Sequence, residues 1–447
     1  MSSGEIRALS PQRARYALGV LFTINLFNYV DRQIISGVLS LVQQDMALSD
    51  AALGALGSAF MILYLLGSVP LGILGDRLTR HRLIAIGVAV WGAATLLSGL
   101  ARSYAQLFAT RALVGIGEAS YGPTATAMVS DLFPKSRRGL VNALFNAAIP
   151  LGGAIGVIIG GLVGSRYGWR AAFLLVGFPS AVLAVLAWRL GDPPRGAHDI
   201  VADGVADGVA DGPVASGAPG AAPLGLVPGV LDLFRTPTFV MVCAVGMLVA
   251  FAIAAFNHWL PLYLERVKRF STAEASFWVG TLSATGGLLG VVTGGVVGDL
   301  LARRTPAGHL ITIAAGFILS APFGLTLLLH PDRRVFLPAL LLAVFFLLLY
   351  IGSVNAVIHN VVHPRLRATA VAIFVFVVNL GGAAMAPTVV GLISGRRSLQ
   401  GAMLILPVMV FFAGLIALAA VTVVGGDIRR VEQSLAVAAG TGSGRHA

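Results

Sequence analysis

The sequence predicts an all-α integral membrane protein, with twelve transmembrane helices arranged as two pseudo-symmetric six-helix bundles. The 447-residue chain is 57% hydrophobic and only 11% charged, and its mean hydropathy is +0.88, whereas soluble domains carry about 25% charged residues. Twelve apolar stretches are each about 20 residues or longer, which is the length that crosses about 30 Å of hydrocarbon. Several motifs recur at a fixed spacing, which indicates duplicated halves.

The twelve stretches are distributed along the chain on both sides of residues 191–235. A backbone amide in lipid must be hydrogen-bonded within its own segment, so each stretch is expected to be a helix. The lone cysteine, Cys243, leaves no disulfide to consider. The stretches begin near residues 15, 49, 82, 103, 139, 171, 238, 273, 309, 335, 367 and 400.

The basic residues predict the orientation of these helices. Residues 1–16 run straight into an apolar stretch too long for a signal peptide, so we expect them to be retained and cytoplasmic. With twelve spans both termini are then inside, and most of the 31 Lys and Arg fall on that side. We therefore expect a multi-pass protein of a cell membrane, namely a bacterial inner membrane. The net charge of +12 is spread over short loops, which argues against a nucleic-acid partner.

The composition divides the chain into four parts. Residues 191–235 are rich in Pro, Gly, Ala and Asp and repeat VADG three times between Val201 and Gly212, which is typical of a disordered segment. We expect an N-terminal six-helix bundle at 1–190, a flexible cytoplasmic linker at 191–235, a C-terminal bundle at 236–428 and a cytoplasmic tail at 429–447.

Two sets of matching positions support the duplication. Residues near the end of the second stretch recur 223 positions later near the end of the eighth, and residues of the fifth stretch recur 229 positions later in the eleventh, so a small insertion separates the two sets. The first set is Gly72, Gly75, Asp76 and Arg80, with Gly295, Gly298, Asp299 and Arg303; the second is Arg138, Ala143, Gly152 and Gly153, with Arg367, Ala372, Gly381 and Gly382.

Glycines at every fourth position line the fifth and eighth stretches. Such ladders let two helices approach closely, and we interpret them either as tight packing within one half or as an interface that slides. They are Gly152, Gly156, Gly160 and Gly164, and Gly286, Gly290, Gly294 and Gly298.

These motifs resemble a known superfamily. The segment GILGDRLTRHR, from Gly72 to Arg82, resembles the loop motif between helices 2 and 3 of the major facilitator superfamily, and GGVVGDLLARR is a degenerate second copy. Within that superfamily, NYVDRQ from Asn28 and RALVGIGEASYGP from Arg111 are similar to the Spinster-like family. The resemblance implies a rocker-switch transporter for a lysolipid or sphingolipid phosphate, with proton involvement. The helix-5 pattern AIPLGG at Ala148 departs from the GPxxGG of many antiporters, so that motif does not support antiport.

Four charges inside apolar stretches define a candidate site. Charged side chains at membrane depth usually mark a functional site. Helical spacing places Arg111 and Glu118 on one face, with Gly115 between them leaving room for a partner helix or a ligand. Asp31 and Arg32 point about 100° apart, and we expect Asp31 to face the fourth stretch. Proton-coupling residues are predicted to be Asp31 and Glu118, and substrate-binding residues Arg111, Arg32, Asn28 and Tyr121.

These charges suggest a coupling mechanism. Arg111 stays protonated, so it needs a carboxylate, a substrate anion or water beside it in every state. We hypothesise that an anionic head group docks on Arg111 and frees a carboxylate, Asp31 or Glu118, to take up a proton. The alternative is a buried ion-pair cluster that only fixes helix packing.

The duplicated loop motif suggests a cytoplasmic gate. Asp76 is an acid among positive-inside charges and could cap a neighbouring helix, and Asp131 is a candidate partner for Arg77. The alternative for Arg80 is a role in topology alone. The predicted gating residues are Asp76, Arg77, Arg80, Asp131, Asp299 and Arg303.

The motifs leave a secondary transporter as the leading function class. The sequence has no P-loop, HExxH, GxSxG or Cys/His cluster, which weakens the case for an enzyme or ATP-driven pump, and duplicated halves favour alternating access over a passive channel. The predicted substrate is an amphiphilic anion such as a lysophospholipid or sphingoid phosphate, moved with protons through a central cavity. The alternatives are a proton-coupled carrier of a small organic anion and a drug-efflux carrier. We expect a monomer in the lipid bilayer, with no cofactor and no metal.

Overall fold

The computed structural model describes residues 10–193 and 231–443, apart from the side chains of residues 11, 76, 77, 135, 136 and 436–443. Every regular element within those ranges is helical. The chain forms two compact units, Met1–Ala221 with Arg269–Gly280, and Ala222–Lys268 with Thr281–Ala447. Most of the expected linker, including its VADG repeats, lies outside the described residues.

Eight helices lie within residues 10–193. Serine side chains cap several of them: Ser49 accepts from the backbone N–H of Ala52, and Ser103 accepts from that of Gln106. The helices are α1 (Pro11–Gly37), α2 (Leu39–Met46), α3 (Asp50–Arg77), α4 (Arg80–Gly99), α5 (Tyr104–Ala119), α6 (Gly122–Leu132), α7 (Lys135–Tyr167) and α8 (Trp169–Trp188). Gly168 alone joins α7 to α8 at φ 84°, in the left-handed region that glycine adopts without steric cost.

Within residues 237–443 the structure has nine α-helices, with a 3₁₀ turn at Pro364–Leu366 and a π-helical turn at Asn379–Ala383. The last helix continues through residues 429–443, where the sequence suggested a tail. The helices are α9 (Pro237–Arg266), α10 (Thr272–Ala302), α11 (Gly308–Leu329), α12 (Arg333–Leu347), α13 (Tyr350–Val361), α14 (Arg367–Val378), α15 (Ala386–Arg396), α16 (Leu399–Met403) and α17 (Ile405–Ser443).

Ten helical segments in the described ranges are long and apolar enough to cross a membrane. They correspond to ten of the twelve predicted spans, which are thereby confirmed. The other two are the spans that carry the charged residues: α1 contains Asp31 and Arg32, and the fourth span, which comprises α5 and α6, contains Arg111 and Glu118. That these two segments also cross the membrane therefore remains a prediction. Both depart from the apolar pattern at the residues of the candidate site.

The glycine ladder on α7 forms the surface against which α1 packs. A Cβ atom built on Gly160 would lie 2.7 Å from the carbonyl oxygen of Ile34, and one on Gly164 would lie 2.8 Å from Val38. These glycines let the backbones of α1 and α7 approach more closely than a larger residue would permit. In the same unit α3 packs along α5, and α4 packs along both α5 and α8. The close approach predicted from the α7 ladder is confirmed.

The second ladder performs the same role on α10. A Cβ on Gly286 would lie 2.7 Å from the carbonyl oxygen of Leu341, and Gly290 and Gly294 face the backbone of Phe345 and Leu349. In this unit α17 packs along both α9 and α11. The close packing of α10 against α12 and α13 therefore resembles that of α3 against α5.

The internal repeat extends to an interruption in the fourth span of each half. The span breaks between α5 and α6 and again between α12 and α13, so that Tyr121 and Tyr350 occupy equivalent positions 229 residues apart. The charges are not repeated: 229 residues after Glu118 lies Leu347, and in the same register, which matches Asn28 with Asn257, Asp31 and Arg32 correspond to Leu260 and Pro261. The duplicated scaffold thus carries this charge cluster in its first half only.

Candidate functional site

The four charged residues predicted from the sequence meet inside the first unit. Asp31 and Arg32 come from α1, and Arg111 and Glu118 come from α5. Asp31, Arg111 and Glu118 are each only 1% exposed. Burying charges is costly unless they are paired and hydrogen-bonded, so the pairing within this cluster determines what each residue is free to do.

Arg111 pairs with Asp31. Its Nη1 donates to Asp31 Oδ1 at 3.0 Å, and its Nη2 donates to the backbone carbonyl of Asp31 at 3.3 Å. The hydroxyl of Thr95, on α4, donates to the other carboxylate oxygen, Oδ2. Both oxygens of Asp31 are therefore occupied, and this pair is sealed inside the unit.

Arg32 pairs with Glu118 in a different way. Its Nη2 and Nε donate to the same oxygen, Glu118 Oε2, at 2.7 and 3.1 Å. The second oxygen, Oε1, is buried and has no hydrogen-bond partner among the described residues. A buried carboxylate oxygen without a partner is unusual, so Glu118 is only half satisfied where Asp31 is fully satisfied.

Three aromatic rings hold the guanidinium of Arg32. Its central carbon lies 4.9 Å from the ring centre of Tyr29, 5.0 Å from that of Phe60 and 4.9 Å from that of Tyr64, all within the range of cation–π attraction. The Arg32 side chain is nevertheless 18% exposed, against 2% for that of Arg111. Arg32 is therefore the accessible cation of the cluster.

The crosswise pairing follows from helix geometry. Adjacent residues on α1 point in different directions, so Asp31 reaches one end of the charged face of α5 and Arg32 reaches the other. Between the two charges of that face, a Cβ on Gly115 would lie 3.1 Å from the backbone nitrogen of Tyr64. The space that the sequence left open to a helix or a ligand is filled by α3.

The other two predicted binding residues lie beside the cluster. Asn28 is buried, and its Nδ2 has no hydrogen-bond partner among the described residues. Tyr121 is also buried, with its hydroxyl donating to the carbonyl of Leu21 at 2.5 Å and its ring edge-on to Trp91. Tyr121 is thus part of the core, whereas Asn28 has a free donor.

Three residues of this site were not predicted from the sequence: Thr95, Phe60 and Tyr64. Tyr29 lies within the NYVDRQ motif. Phe60, Tyr64 and Thr95 lie on α3 and α4 among ordinary apolar neighbours, and no spacing links them to the charges.

The predicted gating residues are only partly described. Arg80 Nη1 contacts Asp131 Oδ2, so Asp131 has a basic partner from the loop motif. The side chains of Asp76 and Arg77 lie outside the described residues. In the second copy, the side chain of Asp299 is 75% exposed and its Oδ1 lies 4.0 Å from His309 Nε2; Arg303 is exposed.

A further acid, Asp192, was not anticipated at this end. Its Oδ2 accepts from the backbone N–H of Arg80 at 2.9 Å, and its Oδ1 accepts from that of His81 at 2.8 Å. His81 Nδ1 also lies 2.8 Å from Oδ1. The capping residue of α4 itself, Thr79, makes no side-chain cap, so Asp192 supplies the cap from the segment after α8.

The described residues offer no group of three or more His, Cys, Asp or Glu side chains that could hold a metal ion. The arrangement instead combines an accessible cation, a half-satisfied carboxylate and a sealed ion pair. Such a set is suited to binding an anion and exchanging a proton.

Comparisons with known proteins agree with the motif resemblance. Residues 21–386 match the family model of the Major Facilitator Superfamily. The chain is 30% identical to Protein spinster homolog 1 of Xenopus tropicalis over 92% of this chain and 81% of that protein. It is also 30% identical to an MFS-type efflux pump of Mycolicibacterium smegmatis, over 89% and 90% of the two chains. A third relative, the Sphingosine-1-phosphate transporter SPNS2 of Danio rerio, is 29% identical over 85% and 75%.

Solved structures share the fold. The crystal structure of a bacterial homologue of the human lysosomal transporter Spinster, inward-facing and unoccupied, superposes with a TM-score of 0.80 at 23% identity, over 94% of this chain and 99% of that one. The nucleoside transporter NupG superposes with a TM-score of 0.66 at 16% identity, over 90% and 98%. Proteins of this superfamily are transporters rather than enzymes. The chain therefore belongs to the Major Facilitator Superfamily and, within it, to the Spinster-like family of multi-pass membrane transporters.

Proposed function

We propose that this protein is a proton-coupled secondary transporter that moves an amphiphilic anion, such as a lysophospholipid or a sphingoid phosphate, by alternating access. The observation that carries the proposal is the Arg32–Glu118 pair. Arg32 is accessible while bound to Glu118, and Glu118 has one carboxylate oxygen without a partner. Arg32 can therefore exchange Glu118, its partner within the protein, for a ligand.

Exchange of the partner of Arg32 couples substrate binding to proton uptake. An anion that binds the guanidinium competes with Glu118 for its positive charge. Glu118, left as a buried carboxylate without a cation, is costly until it takes up a proton. Substrate binding and proton uptake then accompany each other, and loss of the proton restores the pair and expels the anion.

Arg32 is a better docking residue than Arg111. The sequence suggested that the head group binds Arg111, but Arg111 is sealed and bonded to Asp31. We assign the Asp31–Arg111–Thr95 set to holding α1, α4 and α5 together, and the Arg32–Glu118 pair to the exchange. Asn28, one helical turn from Arg32 and with a free Nδ2, supplies a further donor.

The relatives support the class of substrate and also favour a second candidate. One is named a sphingosine-1-phosphate transporter, which supports an amphiphilic anion. Another is named an efflux pump and covers the chain equally well, so export of structurally varied amphiphiles is the second candidate function. Both are expected to act in the inner membrane of a bacterium, with both chain termini cytoplasmic.

The cytoplasmic motif residues complete the proposal as a gate. The contact between Arg80 and Asp131 joins the start of α4 to the end of α6. We assign gating to this pair, to Asp76 and Arg77, and to Asp299 and Arg303 of the second copy. The bundles at 1–190 and 236–428, joined by the linker at 191–235, are the bodies that this gate is proposed to control.

Transport into proteoliposomes tests the proposal. We expect an imposed pH gradient to drive accumulation of a labelled lysophospholipid or sphingoid phosphate, and Arg32→Ala to abolish it. Arg170→Ala is the matched control, because Arg170 also pairs with a carboxylate, that of Asp45, but at an exposed position. Transport of uncharged amphiphiles alone, or accumulation unaffected by Arg32→Ala, would refute the proposed mechanism.

A further inference from the structure

We infer that the hydroxyl groups of Tyr29 and Tyr64, together with Nη1 of Arg32, form a binding site for a phosphoryl head group. This inference rests on the proposed function, and it names the residues that recognise the substrate. Its starting point is that these two tyrosines do more than pack against Arg32: each also carries a hydroxyl group that is not sealed inside the protein.

The free donor of Arg32 is defined by its other bonds. Nε and Nη2 are both committed to Glu118 Oε2, whereas Nη1 makes no hydrogen bond to any residue in the described part of the chain. Nη1 is not among the sealed polar atoms, so the exposure of this side chain includes it. The three rings fix the plane of the guanidinium, so the edge that carries Nη1 is already oriented to bind a ligand.

The two hydroxyls are also unclaimed. Neither the phenolic hydroxyl of Tyr29 nor that of Tyr64 makes a hydrogen bond to a residue within 10–193 and 231–443, and neither hydroxyl is among the sealed polar atoms. Tyrosine hydroxyls near a protein core usually find a partner, as that of Tyr121 does with Leu21. The contrast indicates that the partner of Tyr29 and Tyr64 is a ligand or water.

The donors converge from two helices. Tyr29 and Arg32 lie on α1 and Tyr64 lies on α3, with both rings equally close to the guanidinium. The hydroxyl of Tyr64 reaches the break between α5 and α6, 3.4 Å from a Cβ built on Gly122. One cationic edge flanked by hydroxyls from different helices suits a tetrahedral oxoanion, which accepts in several directions, better than a planar carboxylate.

The inference predicts head-group selectivity. The probes are dodecyl phosphate and dodecanoate, which share a chain length and differ in the acceptor group, with binding measured by titration in nanodiscs. We expect Tyr29→Phe and Tyr64→Phe, which keep the rings around Arg32, each to weaken dodecyl phosphate binding about tenfold. Binding of dodecanoate should change less than threefold.

Two further variants keep the test decisive. Tyr104→Phe is the control for removing a phenol elsewhere, because its hydroxyl donates to the carbonyl of Ala52, and it should leave both affinities unchanged. Phe60→Leu weakens the ring clamp without removing a donor, so it should weaken both ligands alike. Unchanged phosphate affinity in Tyr29→Phe and Tyr64→Phe, or equal losses for both probes, would overturn the inference. Loss of all binding in Arg32→Ala with normal binding in the tyrosine variants would leave the proposed function standing and remove only this site.

Discussion

Arg32 on α1 and Glu118 on α5 are joined by two hydrogen bonds to a single oxygen, at 2.7 and 3.1 Å, and the other Glu118 oxygen is buried without a partner in the described structure. Seven residues earlier on the same helix, Arg111 is bonded to Asp31, whose two oxygens are both occupied. The cluster is therefore asymmetric: one pair is complete and inaccessible, and the other is incomplete and reachable. This asymmetry supports the proposed exchange at Arg32 and Glu118 over a cluster of ion pairs that only fixes helix packing.

Glu118→Gln separates substrate binding from proton movement. The amide is nearly the same shape but takes up no proton, so we expect substrate exchange across the membrane to persist while substrate-driven proton flux falls to the level of empty liposomes. A pH-sensitive dye inside proteoliposomes measures the flux, and counterflow of labelled substrate measures the exchange. Proton flux that survives in this variant would exclude Glu118 as the coupling residue.

Asp31 and Arg111 should behave as a structural pair in a double-mutant cycle. Asp31→Asn alone leaves a buried arginine without its carboxylate, and we expect it to destabilise the protein by about 3–5 kcal/mol. Asp31→Asn combined with Arg111→Met should cost less than the sum of the two single changes, because no unpaired charge remains. Denaturant unfolding in a fixed detergent gives the four free energies. Additive losses would show that the two residues do not stabilise each other.

Much of this fold was predictable because the lipid environment allows few solutions. The length of each apolar stretch and the offset between Gly72 and Gly295 were enough to predict the helices and their duplication. The charged residues were predictable as a set, since charge at membrane depth is rare. Which carboxylate meets which arginine was not predictable, because it depends on how α1 is rotated against α5. The roles of Thr95 and Tyr64 were not predictable for the same reason, because they arise only from helix packing.

Gly115→Ala tests whether the packing of α3 on α5 supports the site. The added Cβ would overlap the backbone of α3 at Phe60 and lie 3.1 Å from the nitrogen of Tyr64, which should destabilise the protein by about 1–3 kcal/mol. The displacement also moves two rings that hold Arg32, so substrate affinity should fall as well. Gly139→Ala is the control: nothing lies within 4 Å of its Cβ position, and it lies within a helix, so it should leave stability unchanged or slightly raised. Equal effects of the two substitutions would refute the packing argument.

Asp192 is predicted to hold the start of α4 through its two carboxylate oxygens. Asp192→Ala removes both acceptors from the backbone N–H groups of Arg80 and His81, and we expect a loss of about 1–2 kcal/mol, as for other helix caps. Asp192→Asn retains one acceptor oxygen and should cost about half as much. Asp232→Ala serves as control, because Asp232 is exposed and pairs, among the residues that the structure describes, with Arg235 of its own turn. Hydrogen exchange of the first turn of α4 provides a local measurement: faster exchange there, and not at the α8 amides, is expected in Asp192→Ala. Unchanged exchange in that turn would mean that the N–H groups of Arg80 and His81 bind other acceptors. The segment after α8 would then not stabilise the end of α4 that carries the proposed gate.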